Sequence, residues 1–208
     1  MKKVSLSGSL REGVGKKDAK ELRANGRVPA VLYGGDTQTH FHVSSIELDK
    51  IVYSPDVFQI ELDINGKKTK AIIKDSQFHP VTDNYVHIDF LELFDDREVV
   101  IKLPVRTVGN SVGVIAGGAK IMNFRKLAVR GLPGDMPDDI VLNVAKMKIG
   151  DAIRVRDISV EGCTIVQAPS DVVVAIKTTR AAMSAAAASA SGGDEEETEE
   201  ASEEAAAE

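Results

Sequence analysis

The chain has no tryptophan, a single cysteine and few aromatic residues of any kind, three tyrosines and six phenylalanines in 208 residues. With Cys163 alone, an internal disulfide and a Cys-rich zinc site are both excluded. Cysteine this sparse fits a reducing compartment, so the expected location is the cytoplasm. Long hydrophobic runs are missing too, and no helical membrane span is expected. Two lysines follow Met1 but no apolar stretch follows them, so the start does not read as a secretory leader. The four glycines of Gly109–Gly118 lack both the Gly-Lys-Ser/Thr ending of a phosphate loop and the GxGxxG spacing. That segment is expected to be a surface loop that orders against a partner. Residues 95–180 contain no histidine, so Cys163 has no neighbouring base in sequence and is expected to be a buried or turn cysteine.

The longest stretch without a basic residue closes the chain. Residues 181–208 hold nine acids and no lysine or arginine. The formal charge of −6 therefore misrepresents the rest: residues 1–180 carry all 26 bases against 23 acids, a net of +3. Residues 1–34 alone hold eight bases and three acids. A basic patch of this kind suits a polyanion partner, although a solvated surface is the commoner reason for one.

Three regions follow. Residues 1–94 predict short strands of alternating polarity with two short helices. Strands are expected over 4–10, 27–33, 40–43, 57–64, 68–74 and 84–93. Asp18 is placed to cap a helix over 18–25 that Gly26 ends, and Ser45 opens a second helix to Val52. Asn65-Gly66 is the dipeptide that a two-residue primed hairpin turn requires. Six such strands suit a small antiparallel β-barrel. Residues 95–180 predict an all-β domain, with strands over 99–108, near 119–129, and over 140–144, 152–155, 164–168 and 172–177. Residues 181–208 are an Ala/Ser/Glu tail too poor in apolar side chains to offset the entropy of ordering, and are expected to be disordered.

Several residues could carry chemistry. On the strand Tyr85–Phe90, alternation puts Val86, Ile88 and Phe90 on the core side and Tyr85, His87 and Asp89 outward. The bland interpretation of that outward row is a solvated face with a His–Asp pair; the functional one is a surface that reads a partner. His79, His87 and Asp89 also offer a candidate metal set for a metal-dependent enzyme, on the weak H-x-D signal. Lys16, Lys20 and Arg23 follow a four-then-three spacing, one face of a helix that could lie along a phosphate backbone. Tyr33, beside Gly34-Gly35, could stack on a base or serve as a barrel-core tyrosine.

Taken in order, these strings resemble a known family. Arg11-Glu-Gly, Leu22-Arg23-x-x-Gly26, Val28-Pro-Ala-Val-Leu-Tyr33-Gly, Gln77-Phe-His79-Pro and His87-Ile-Asp89-Phe90 look like the bacterial large-subunit ribosomal protein family that binds 5S rRNA. Val99 to Val105, Gly113 to Gly118, Ile149-Gly-Asp151 and Asp157-Ile158 are similar to the added domain of its long form, the general stress protein CTC type. The resemblance implies a non-catalytic constituent of the large ribosomal subunit, with no cofactor and no membrane or small-molecule partner. Its first domain would be a six-stranded barrel lying in a widened minor groove of 5S rRNA. Carried over by position, the RNA-binding residues would be Arg11, Lys16, Lys20, Arg23, Tyr33, Gln77, His87 and Asp89. Contact with neighbouring ribosomal protein or RNA would fall to the second domain. A stress-related module whose second domain binds proteins is the remaining alternative.

Overall fold

The computed structural model describes residues 1–35 and 37–180; the tail expected to be disordered lies outside the described residues. The N-terminal part is a closed barrel of β1 (Lys2–Leu10), β2 (Arg27–Tyr33), β3 (Thr39–Ser44), β4 (Phe58–Ile64), β5 (Lys67–Phe78) and β6 (Tyr85–Glu92), in the order β1-β3-β2-β6-β5-β4. Alternation in sequence becomes alternation in space. Leu6, Val28, Ala30, Leu32, Phe41, Val43, Ile60, Leu62, Ile88 and Phe90 point inward and are buried. The Phe41 and Phe90 rings lie 5.5 Å apart at the centre. Each large side chain removed from water in this way contributes about 1.5–3 kcal/mol. Leu48 and Ile51 of α2 (Ser45–Val52) join the same cluster.

The barrel is not wholly antiparallel. β1 runs parallel to β4, and β2 runs parallel to β6. Parallel neighbours need long connections, and both pairs join strands far apart in sequence. β2–β3, β4–β5 and β5–β6 are the short antiparallel returns. At the second of these, Asn65 (φ 50°) and Gly66 (φ 88°) are both left-handed, as a primed turn demands.

Two local expectations need correction. The first helix, α1, spans Lys16–Ala24; its N-cap is Gly15 and no side chain caps it. Asp18 lies inside the first turn, and its carboxylate is taken by Arg11. On β6, the pairing with β5 passes from Gln77↔His87 to Phe78↔Tyr85 and skips Val86. The extra residue resets the alternation. Tyr85 is therefore buried among core residues and does not face outward with His87 and Asp89.

The remainder is β-rich. β7 (Val99–Val108), β9 (Lys126–Gly131), β10 (Ile140–Asn143) and β12 (Cys163–Ile165) form a sheet in the order β10-β7-β9-β12. β8 (Ala119–Met122), β11 (Ala152–Arg154) and β13 (Val172–Lys177) form a second, ordered β11-β13-β8. The stretch 119–129 is thus divided between two sheets, and at the break Asn123 binds the carbonyls of Val172 and Val173. Gly109–Gly118 is a packed turn with a short helix, α3 (Val112–Ile115), and not simply a surface loop. Ser111 and Gly113 are buried there, and the Ser111 hydroxyl donates to Met147 O and accepts from Val114 N–H. Two compact units result. One joins the barrel, Met1–Arg106, to Lys126–Ile140 and Ser159–Gln167. The other comprises Thr107–Arg125, Val141–Ile158 and the described residues from Ala168 onward.

Candidate nucleic-acid interface

Three adjacent barrel strands carry the candidate residues. β6 lies between β2 and β5. Register places Val31 of β2 and Asp75 of β5 on either side of Asp89, and Gln77 beside His87. The outward row on β6 is reduced to His87 and Asp89, which face each other with Nδ1 2.7 Å from Oδ1. A neutral ring that donates from Nδ1 leaves Nε2 as an outward acceptor. Both side chains are half-buried, while Gln77 is exposed. Tyr33 is half-buried on β2. Burial, then the carboxylates of Asp89 and Asp75, push its hydroxyl above the ordinary tyrosine value, so it stays a neutral donor. The face thus presents an amide, an imidazole, a carboxylate and a phenol, with both donors and acceptors.

Beside it, α1 packs against β2. Lys16, Lys20 and Arg23 are exposed along one side of the helix, and Ala19 and Leu22 are half-buried on another. Arg23 is anchored, its Nε donating to Val86 O at 3.0 Å, at the residue that the β6 irregularity releases from pairing. That bond ties the basic helix to the strand bearing His87 and Asp89. Arg11 has a different place. Its guanidinium donates to Asp18 through Nε at 3.1 Å and Nη2 at 2.5 Å, and to Gly13 O at 3.0 Å. Its side chain is only 6% accessible, so it braces the turn that leads into α1.

The metal constellation does not assemble. His79 sits in its own turn, where Nδ1 accepts from the Val81 and Thr82 N–H groups. Among the described residues, no three His, Cys, Asp or Glu side chains lie close enough to share a metal ion. Gly109, Ser111 and Gly113 fall at the Gly-x-Ser-x-Gly spacing of a nucleophile elbow, but Ser111 is buried and both its hydrogen bonds stay within its own turn and Met147. Cys163 is half-buried, and burial followed by Asp135 raises its thiol further from reactivity.

Sequence reasoning missed Asp75, although alternation on β5 puts it on the same side as Gln77. It also missed the pairing of Arg27 Nη1 with His42 Nδ1 at 3.1 Å, which depends on β2 lying beside β3.

The model of the Ribosomal L25p family matches residues 6–90, and that of the C-terminal domain of ribosomal protein TL5 matches residues 98–180. The large ribosomal subunit protein bL25 of Porphyromonas gingivalis is 42% identical over 183 residues, covering 87% of this chain and 95% of its own. Its counterpart in Parabacteroides distasonis is 42% identical over 186 residues, with 87% and 96% covered. That of Christiangramia forsetii is 42% identical over 183 residues, with 86% and 83% covered. On the barrel, the appended β-rich region and these matches, the chain belongs to the bL25 family of large ribosomal subunit proteins.

Proposed function

We propose that this protein is a non-catalytic structural component of the large ribosomal subunit in the bacterial cytoplasm. It binds 5S rRNA through the outer face of β2, β6 and β5 and the basic side of α1. In this reading residues 1–94 form the RNA-binding domain and residues 95–180 a second domain.

The observation that carries the proposal is the His87–Asp89 pair, set beside Gln77 in register and next to Tyr33. An A-form minor groove is wide and shallow and displays 2′-hydroxyls and base edges. A gently curved barrel face carrying both donors and acceptors suits that surface. Asp89 is repelled by phosphate, so its value there is as an acceptor from a 2′-hydroxyl or a guanine amino group, or as the group that orients His87. Lys16, Lys20 and Arg23 supply the phosphate contacts and release counterions on binding. Arg11 acts indirectly, by holding Asp18 and the start of α1.

The test is binding of the full chain to 5S rRNA and to a length-matched unrelated RNA at two salt concentrations. A preference for 5S that survives the higher salt is expected. Equal binding to both RNAs, lost together as salt rises, would reduce the surface to general electrostatics and overturn the proposal.

A further inference from the structure

Residues 95–180 contain 13 bases and ten acids, a balance that says little by itself. The fold sorts them. Every charged residue on the strands β7 to β13 is a cation: Lys102, Arg106, Lys120, Lys126, Arg130, Arg154 and Lys177. All ten acids lie in the connections, and several serve local structure there. Asp139 binds Arg106 at 3.0 Å, Asp151 accepts from Lys148 N–H at 2.7 Å, and Asp157 accepts from Arg154 N–H at 3.0 Å.

On the β7–β9 pair the cations fall on one face. Val99, Ile101, Leu103 and Val105 of β7 and Leu127 and Val129 of β9 are buried, so Lys102, Lys126 and Arg130 point the other way. Register sets Lys102 opposite Ala128, so Lys126 and Arg130 are its two diagonal neighbours on β9. Such diagonals are about 7–8 Å apart. All three side chains are exposed, and none makes an ion pair or side-chain hydrogen bond among the described residues. Arg106 on the same strand is different, being held by Asp56 and Asp139. Three cations at this spacing repel one another, and although Asp56 and Asp75 line the same cleft as Lys102 and Lys126, they form no ion pair with them.

We infer that Lys102, Lys126 and Arg130 form a second RNA-contact surface, which grips the phosphodiester backbone without reading sequence. The inference rests on the proposed RNA-binding role, but it concerns a face that the barrel site does not include. The outward β7–β9 positions offer long cationic stems around the small side chain of Ala128, the half-buried Val100 and the buried Pro104 opposite Lys126. They lack the amides, carboxylates and aromatics that base reading would need. Phosphate is the ligand such a lattice fits.

The experiment compares the full chain with a K102Q/K126Q/R130Q variant, using 5S rRNA and a 20-base-pair RNA duplex of unrelated sequence as probes. The logarithm of the affinity is followed against the logarithm of salt. Each phosphate contact accounts for about 0.7–0.9 in slope, so the variant should lose about 2 to 3 on both probes. Its preference for 5S over the duplex should persist, because the barrel is untouched. A second triple variant, K68Q/K146Q/K148Q, removes the same charge from exposed positions off this face and should leave the slope near that of the parent. A change below about half a unit in the first variant, or an equal change in the second, would overturn the inference. Should the triple variant melt early, K102Q alone should still lower the slope by about one contact's share. Loss of 5S preference in the parent protein would instead fail the barrel reading, and that result is separate from the slopes.

Discussion

Asp89 is where charge and chemistry make opposite predictions. Removing a carboxylate from a surface that meets a polyanion should tighten binding if only charge matters. If Asp89 accepts a hydrogen bond from RNA or fixes His87 at 2.7 Å, removal should weaken it. Asp89→Ala is expected to lower 5S rRNA affinity by about 1–3 kcal/mol, the ordinary range for a specific base-edge contact. A filter-binding titration of parent and variant measures this, and a tighter variant at every salt concentration would reduce Asp89 to a bystander. His42 supports a prediction about pH. Burial first, and the Arg27 guanidinium next, hold its pKa below the ordinary histidine value. The unfolded chain therefore takes up a proton near pH 6.5, where folded His42 resists it. Between that pH and the lower folded value the unfolded state binds more protons, so stability falls as pH falls. Melting curves at about pH 7.5 and pH 5.5 should show a smaller drop for His42→Gln than for the parent. An equal drop would assign the acid sensitivity to other groups.

Elements were legible wherever a local rule acted alone. The alternation in Val99–Val108 puts Val99, Ile101, Leu103 and Val105 in the core, as the apolar residues alone suggest. Asn65-Gly66 forms the primed turn its chemistry favours. Elements were illegible where a distant partner decided. The skipped pairing at Val86 depends on β5, so Tyr85 could not be placed from β6 by itself. Asp18 looks like a cap in sequence, but Arg11 claims its carboxylate. Gly109–Gly118 reads as a loop because its glycines look like flexibility; three of them, Gly109, Gly113 and Gly118, instead permit close packing. A Cβ on Gly113 would lie 2.7 Å from the backbone of both Ile149 and Lys148, whereas one on Gly66 would meet nothing within 4 Å. The two glycines are thus required for different reasons, crowding at Gly113 and a left-handed φ of 88° at Gly66. Gly66→Ala should cost about 1–2 kcal/mol of conformational strain. Gly113→Ala should cost more, about 2–3 kcal/mol, because backbone atoms cannot step aside as a flexible side chain would. Urea midpoints, with slopes checked for constancy, would rank the two, and a larger loss at Gly66 would contradict the packing argument.

At the scale of the whole molecule, order along the chain was readable and the sorting of charge was not. A row of Lys102, Lys126 and Arg130 exists only once β7 lies beside β9, and composition cannot express it. The same limit applies to the net charge of −6, which arises because nine acids in residues 181–208 outweigh an excess of bases elsewhere. A polyanion approaching the protein meets both contributions, and salt decides over what range they act. The screening length is about 30 Å at 0.01 M salt and about 3 Å at 1 M. At low salt the nine acids should therefore oppose binding of any RNA, wherever on the protein it docks. At high salt only charges in direct contact still count. A chain ending at Arg180 has a net charge of +3 and should bind the unrelated RNA duplex several-fold more tightly at about 50 mM salt. The difference should vanish by about 0.5 M, and the 5S preference proposed for the barrel should change little at either. Titrations of the full and shortened chains against both RNAs would show this. Equal affinities at low salt would mean that the acidic segment's field does not reach the RNA, leaving the basic surfaces of residues 1–180 to set nonspecific binding alone.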